Sequence, residues 1–251
     1  SNTTASNNTA VGYQAGYSYT TGDTGTAIGT KALRANTTGR FNSALGYEAL
    51  YANTTGTYNV AIGSAALTSN NTASENTAVG YQAGYSSTTG TQQTFIGYQA
   101  GQLNTTGNYN TFIGRSAGYS TTTGSDNTIV GNGAGFSHTT GSGNGFFGTG
   151  AGNAVTSGSK NTILGRYNGN QGGLDIRTLN NIVVLSDGDG NPRVHIDTAN
   201  AVLIGTGFAT TGGSSGIKIN ANGSGIQTKS GSTGFHYHNR FYDSNGQVGY
   251  I

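Results

Sequence analysis

Ten glycines, Gly12, Gly29, Gly46, Gly63, Gly80, Gly97, Gly114, Gly131, Gly148 and Gly165, stand at an unbroken spacing of 17 residues. A fixed period of this length means one small supersecondary unit copied and stacked. Each copy buries its apolar face against its neighbours rather than within itself. Function in such a chain is to be sought in a shape rather than in a pocket.

Aligned on the spaced glycine, the copies read close to N-T-(A/F)-(V/I)-G-Y-Q-A-G-Y-S-x-T-T-G-x-x. The residue before the glycine is always bulky and apolar, from Val11 and Ile28 to Phe147 and Leu164, and is expected in the core. Three residues after the glycine comes Ala15, then Ala32, and so on to Ala151, with Asn168 breaking the series in the last copy. An atypical end copy is what capping of a repeat stack requires.

Helix is excluded first, because each interior glycine costs a helix about 1 kcal/mol relative to alanine and every unit holds several. Each unit reads instead as two short strands and two turns. Runs such as Asn36-Thr37-Thr38-Gly39 and Asn104-Thr105-Thr106-Gly107 mark a turn where Asn or Gly can take a positive φ. This is a coil of β-solenoid. At a strand spacing of roughly 4.8 Å, ten such coils make a rod of about 45 to 50 Å.

Alternation along a strand puts the pre-glycine residue and the following Ala on one face. On the other face Ala27, Ala44 and Ala61 accompany Leu33, Leu50 and Leu67, whereas Phe95, Phe112, Ile129 and Phe146 accompany Gly101, Gly118, Gly135 and Gly152. Large goes with small, as a filled layer requires. Two copies, with Ala10 and Gly16 and with Ala78 and Gly84, are small at both positions and break the rule. A two-strand coil of this width with both faces packed is expected to need a partner, and three identical chains around a common axis would supply it. Each coil offers three or four apolar side chains, at about 1.5 to 3 kcal/mol apiece, against about 1 to 2 kcal/mol of backbone ordering per residue. A lone chain looks marginal on those terms.

Composition narrows the partners. Of 251 residues 45 are glycine and only 8% are charged, but 15 tyrosines and 9 phenylalanines at fixed phase argue for order rather than a low-complexity coil. A net charge of +2 with 11 scattered basic residues gives no electrostatic footprint for nucleic acid or an anionic membrane. There is no apolar run of bilayer length and no secretory signal. The absence of Met marks Ser1 as other than an original start, so the chain reads as a fragment or processed product. With no Cys, stability must come from stacking and association.

Across residues 8 to about 170 the repeat resembles those of phage tail-fibre and bacterial tail-fibre-domain proteins, and more distantly the β-roll heads of trimeric autotransporter adhesins. Asn181-Ile182-Val183-Val184-Leu185-Ser186-Asp187-Gly188-Asp189-Gly190-Asn191 followed by Arg193-Val194-His195-Ile196-Asp197 resembles the hairpin that often follows such repeats. His238 with Phe241-Tyr242-Asp243-Ser244-Asn245-Gly246-Gln247-Val248-Gly249 is similar to the segment ahead of the self-cleaving intramolecular chaperone of these fibres. The resemblance implies a homotrimer exposed on a virion or cell surface, built for shaft formation and receptor adhesion.

The expected fold is therefore all-β: a β-solenoid of ten 17-residue coils, as an intertwined or side-by-side homotrimer, followed by a β-hairpin and neck or tip β-structure. Residues 1–170 form the shaft, 171–206 a hairpin or meander, and 207–251 a Gly-rich neck or tip preceding an absent chaperone domain. The expected function is a virion tail fibre that projects from the particle and attaches to a host-surface glycan or protein. A bacterial trimeric adhesin or extracellular fibre is the alternative. An ice-binding solenoid ranks lower, because the paired threonines read as turn.

No enzyme is expected. Trimeric tailspikes hydrolyse glycans with paired carboxylates, but Asp23, Glu48, Glu75, Asp126, Asp175, Asp187, Asp189, Asp197 and Asp243 are scattered. Asp187-Gly188-Asp189-Gly190-Asn191 has the look of a calcium loop without its bidentate Glu, and reads as a hairpin turn. His236 and His238 share a strand face by alternation. Three chains would bring six imidazoles together, enough for an octahedral transition-metal site; ordinary surface or inter-chain hydrogen bonding is the other reading. Tyr13, Tyr47, Tyr81 and Tyr98 recur one residue after the glycine, and Tyr17, Tyr51, Tyr85 and Tyr119 five after it. Such aromatic rows suit either receptor carbohydrate or stacking between coils.

Overall fold

A computed structural model describes residues 4–206, together with short strand segments between 215 and 249. The shaft is a β-solenoid with a single strand in each of ten coils. The strands are β1 (Thr9–Val11), β2 (Thr26–Ile28), β3 (Ser43–Leu45), β4 (Val60–Ile62), β5 (Thr77–Val79), β6 (Thr94–Ile96), β7 (Thr111–Ile113), β8 (Thr128–Val130), β9 (Gly145–Phe147) and β10 (Thr162–Leu164). All pair in parallel and in register, so Ala27 faces Ala44, Phe95 faces Phe112 and Ile129 faces Phe146. The rest of each coil is turn. Ala32 N–H donates to Gly29 O and Asn36 N–H to Leu33 O, two tight turns that bring the chain round.

The spaced glycine is the corner. Its φ lies between 107° and 142° in all ten coils, a region closed to L side chains. A Cβ on Gly12 would stand 2.7 Å from the carbonyl carbon of Gly29 in the next coil. Only glycine lets successive coils approach at strand spacing here.

That corner also overturns two expectations. Across a backbone with φ near +130° the period-2 alternation fails, so the pre-glycine residue and the following Ala do not share a face. Ala32, Ala49, Ala66, Ala83, Ala100, Ala117, Ala134 and Ala151 are buried. The pre-glycine residues instead point outward: Val11, Ile28, Leu45, Ile62, Ile96, Ile113, Phe147 and Leu164 are exposed. The core lies on the other side of the strand, and it closes within one chain. The lone coil is wide enough because the third side is filled by polar side chains that bond to each other.

Those side chains form two buried ladders. In the first, Asn42 Oδ1 accepts from Asn59 N at 3.0 Å, Asn59 Oδ1 from Asn76 N at 3.1 Å, and Asn76 Oδ1 from Gln93 N at 3.0 Å. It resumes from Asn110 through Asn127, Asn144 and Asn161 to Ile182 N. In the second, Asn53 Nδ2 donates to Asn36 Oδ1 at 2.7 Å and Asn70 Nδ2 to Asn53 Oδ1 at 2.9 Å. Satisfied amides cost little to bury and tie one coil to the next; the first series breaks at Gln93, whose buried Oε1 has no hydrogen-bond partner.

The large-for-small pairing holds inside this core and extends across coils. Leu33, Leu50 and Leu67 are fully buried despite φ of 49°, 51° and 50°. Their burial, about 1.5–3 kcal/mol each, offsets a left-handed cost of about 1–2 kcal/mol. The two copies that broke the rule are filled from elsewhere. A Cβ on Gly84 would come within 2.9 Å of Leu67 from one neighbouring coil and 2.6 Å of Phe95 from the other. In the first coil, beside Ala10 and Gly16, the ring of Tyr19 supplies the volume; burial pushes its phenol up to about 12.

Below β10 the stack is capped. After β11 (Asn170–Gln171) and β12 (Leu174–Asp175), β13 (Val183–Ser186) adds in parallel to β10. Strands β14 (Pro192–Ile196) and β15 (Val202–Thr206) then run antiparallel. Asp187–Asn191 is the turn of the β13–β14 hairpin, as its Asp-Gly content indicates. Asp187 Oδ1 accepts the Asn191 N–H at 2.9 Å, and Oδ2 accepts from the Arg193 guanidinium. Partial desolvation works against this carboxylate, but the Asn191 and Arg193 donors outweigh it and hold its carboxyl down at about 2.

Candidate functional site

With the core closed, what remains unsatisfied is on the outside of the strands. The pre-glycine residues form an apolar stripe that no polar side chain interrupts from Val11 to Leu164, and it continues onto the cap where Leu185 pairs beside Leu164. Eight of its ten shaft members are 36–58% exposed. Together they present on the order of 700 Å² of apolar surface, more than a monomer usually leaves bare and close to the ~800 Å² per partner of a standard interface.

Two columns flank the stripe, one at each corner of the strand side. On the glycine side, one residue past the corner, stand Tyr13, Tyr47, Tyr81 and Tyr98, exposed at 68%, 50%, 45% and 46%. Tyr81 and Tyr98 stack with centroids 5.3 Å apart, and the Arg115 guanidinium lies 5.7 Å from the Tyr98 ring. Tyr13 and Tyr47 are each followed in the column by a small residue, Thr30 and Ser64, so their rings stand apart. The structure thus places all four tyrosines at the surface in one line.

The other flank was missed by reading the sequence. It holds Phe41, Tyr58, Glu75, Gln92, Tyr109, Asp126 and Lys160, each five residues before its glycine, all with φ between 55° and 63°. Phe41 and Tyr58 stack at 5.0 Å with planes 8° apart, and Arg40 covers the Phe41 ring at 5.5 Å. The signal available was aromatic recurrence at the same period, obscured because charged residues and an amide alternate with the rings.

A third column lies farther round the coil, five residues past the glycine. Arg34 sits over Tyr17 and Tyr51, 5.9 and 5.6 Å from the ring centres, and donates to Gln14 Oε1 and to the Tyr51 hydroxyl. Tyr119 and Phe136 stack at 4.9 Å. These are the inter-coil stacks that the tyrosine spacing allowed.

The acids are drawn into local pairs. Asp23 receives Arg40 through two bonds of 2.5 and 2.8 Å, Glu48 meets Lys31 at 3.2 Å, and Asp175 meets Arg177 at 2.7 Å. Among the described residues no group of three or more His, Cys, Asp or Glu side chains converges as metal ligands would. The His236 and His238 side chains, like Asp243, lie outside the described residues. At the junction of shaft and cap an open groove of about 500 Å³ is lined by Thr149, Arg166, Ser186 and Asp187 together with Gly148, Gly165 and Gly188. No described helix is long and apolar enough to cross a membrane.

No protein-family model matches this chain, and no curated protein or solved structure matches it either. The stripe and its flanks therefore carry the functional reading.

Proposed function

We propose that the chain is the shaft of a homotrimeric fibre of the phage tail-fibre type, projecting from a virion and attaching it to a host surface. The observation that carries this reading is the uninterrupted apolar stripe on a rod whose own core is already closed. Several copies side by side would cover the stripe along its whole length, and a rod of stacked coils is a spacer rather than a cavity for chemistry. The same geometry serves a bacterial trimeric adhesin or extracellular fibre, the second reading.

Receptor contact is assigned to the exposed aromatic columns: Tyr13, Tyr47, Tyr81 and Tyr98 on one flank, and the Tyr119–Phe136 stack farther round. A ring offers a sugar an apolar face, and the phenol adds a hydrogen-bonding tip. The paired histidines His236 and His238 remain a proposed transition-metal site on the trimer axis, tested by metal analysis of the purified protein.

Sedimentation of the purified chain tests the central claim. Three chains per particle are expected, and a monomer at micromolar concentration overturns it. A glycan array on the same sample is expected to show binding; none would remove carbohydrate from the receptor assignment.

A further inference from the structure

A sugar binds an aromatic ring by its face, and most ring faces in these columns are already taken. In the column just past the glycine corner, Tyr98 is covered on both sides, by Tyr81 with centroids 5.3 Å apart and by the Arg115 guanidinium 5.7 Å from the ring. Tyr81 keeps its other face, because the column continues one coil earlier with Ser64 and two coils earlier with Tyr47. The result is a slot walled by Tyr47 and Tyr81, floored by half-buried Ser64 and edged on the strand side by the exposed Ile62.

Width decides what fits. Rings stacked one coil apart have centroids 4.9 to 5.3 Å apart, so walls two coils apart stand about 10 Å from each other. A flat ring in carbon contact with both walls needs only about 7–8 Å and would be loose. A pyranose chair, puckered and carrying axial hydrogens, takes up the difference. Both walls are also backed on the side away from the slot. Tyr81 rests on Tyr98 and Arg115; the Tyr47 hydroxyl donates to Glu48, which pushes the phenol up, and Glu48 is held by Lys31 at 3.2 Å. Walls held before the ligand arrives lower the cost of binding.

Resting on the receptor reading above, we propose that this slot takes one terminal, uncharged hexopyranose of a host-surface glycan, clamped between the faces of Tyr47 and Tyr81. Each ring meets the C–H bonds of one sugar face, and the Ser64 hydroxyl meets a sugar hydroxyl at the floor. The slot is closed along the rod and open outward, so the sugar enters edge-on and the rest of the glycan leads away from the shaft. The Glu48 carboxylate at the Tyr47 wall disfavours acidic sugars.

Saturation-transfer NMR on the whole purified chain tests this, with the methyl glycosides of glucose, galactose and mannose as probes and adenosine as a flat ring. At least one hexoside is expected to receive saturation at its ring C–H protons, and adenosine none. Ser64→Tyr joins Tyr47 to the Tyr81–Tyr98 stack and fills the slot with the protein's own ring. It should keep the circular dichroism spectrum and particle mass and abolish the transfer. Tyr47→Ala removes one wall and should weaken binding about 10-fold, whereas Tyr109→Ala on the opposite flank should leave it unchanged. Hexoside binding that survives both Ser64→Tyr and Tyr47→Ala overturns the slot and leaves glycan attachment standing elsewhere on the rod. Adenosine binding that Ser64→Tyr abolishes overturns the choice of a pyranose. A parent that takes no hexoside overturns the clamp, and if a glycan array is blank as well, the carbohydrate reading falls with it.

Discussion

Leu67 and Phe95 share a single slot, the space that a side chain on Gly84 would otherwise claim. Two residues 28 positions apart in sequence thus close a gap in the coil between them. Gly84→Leu, which reproduces the Leu33, Leu50 and Leu67 of the earlier coils, is therefore expected to destabilise by about 1–3 kcal/mol through overpacking. Phe95→Ala alone should cost about 3–5 kcal/mol. The double change Phe95→Ala/Gly101→Leu installs the alanine-and-leucine filling of coils two to four and should recover a good part of that loss. Urea unfolding of the three variants decides it, and a double variant no better than Phe95→Ala alone would refute the volume exchange.

His138 gives the shaft an acid-sensitive point. It occupies a ladder position held by Asn in earlier coils, with Nδ1 3.2 Å from Thr121 Oγ1, Nε2 3.1 Å from Asn144 Nδ2, and the Phe146 ring edge-on at 5.9 Å. Burial pushes its pKa down to about 4. An unfolded histidine titrates near 6.5, so between about pH 6.5 and 4 the unfolded chain binds the extra proton and stability falls with acidity. The loss levels off below about pH 4 at around 3 kcal/mol. Urea midpoints across this range should show the slope in the parent and a shallower one in His138→Asn, the remainder coming from His195, whose pKa burial also lowers.

The glycines separate into two kinds by what surrounds them. Gly97→Ala puts a Cβ 2.6 Å from the Gly114 carbonyl carbon at a φ of 136°, and should cost well over ~2 kcal/mol. Gly150→Ala meets nothing within 4 Å at a φ of 67°, and its counterparts Gln82, Gln99 and Ser116 adopt the same conformation. It should cost about 1 kcal/mol. Thermal melts of the pair distinguish a steric corner from a merely left-handed turn.

Ile113 is exposed at the middle of the stripe and packs nothing inside. Ile113→Asp should leave the circular dichroism spectrum unchanged and weaken association at least ~100-fold, because the seam would have to desolvate a carboxylate on every copy. Sedimentation at several concentrations reads the effect. An unchanged particle mass would exclude the stripe as the interface.

The period, the all-β architecture, the alanine side of the core and the large-for-small pairing were all legible in the chain. Which apolar position faces inward was not. A strand reader counts in twos from Ile96 to Ala100, but the backbone turns a corner at Gly97 between them, and both counts cannot survive it. The filling of the coils at Gly84 and Gly16 was also hidden, since Phe95 reaches in from the next coil and Tyr19 belongs to another column. Of the candidate surface, the tyrosine line was visible by spacing. The Phe41–Tyr58 flank was masked by Glu75 and Gln92 at the same phase, and only the left-handed backbone those four share reveals them as one row.

Within the shaft every rung of the amide ladders joins residues 17 apart, as Asn53 to Asn36 and Asn127 to Asn110, and only the last, from Asn161 to Ile182 in the cap, spans 21. Such a lattice is divisible only in whole coils. Losing one coil shortens the rod by about 4.8 Å and leaves the remaining columns aligned; losing one residue throws every column beyond it out of step and turns the ladder amides away from their partners. Shaft length can therefore change without breaking the ladders only in fixed steps of one coil, which makes the chain a ruler graduated in coils.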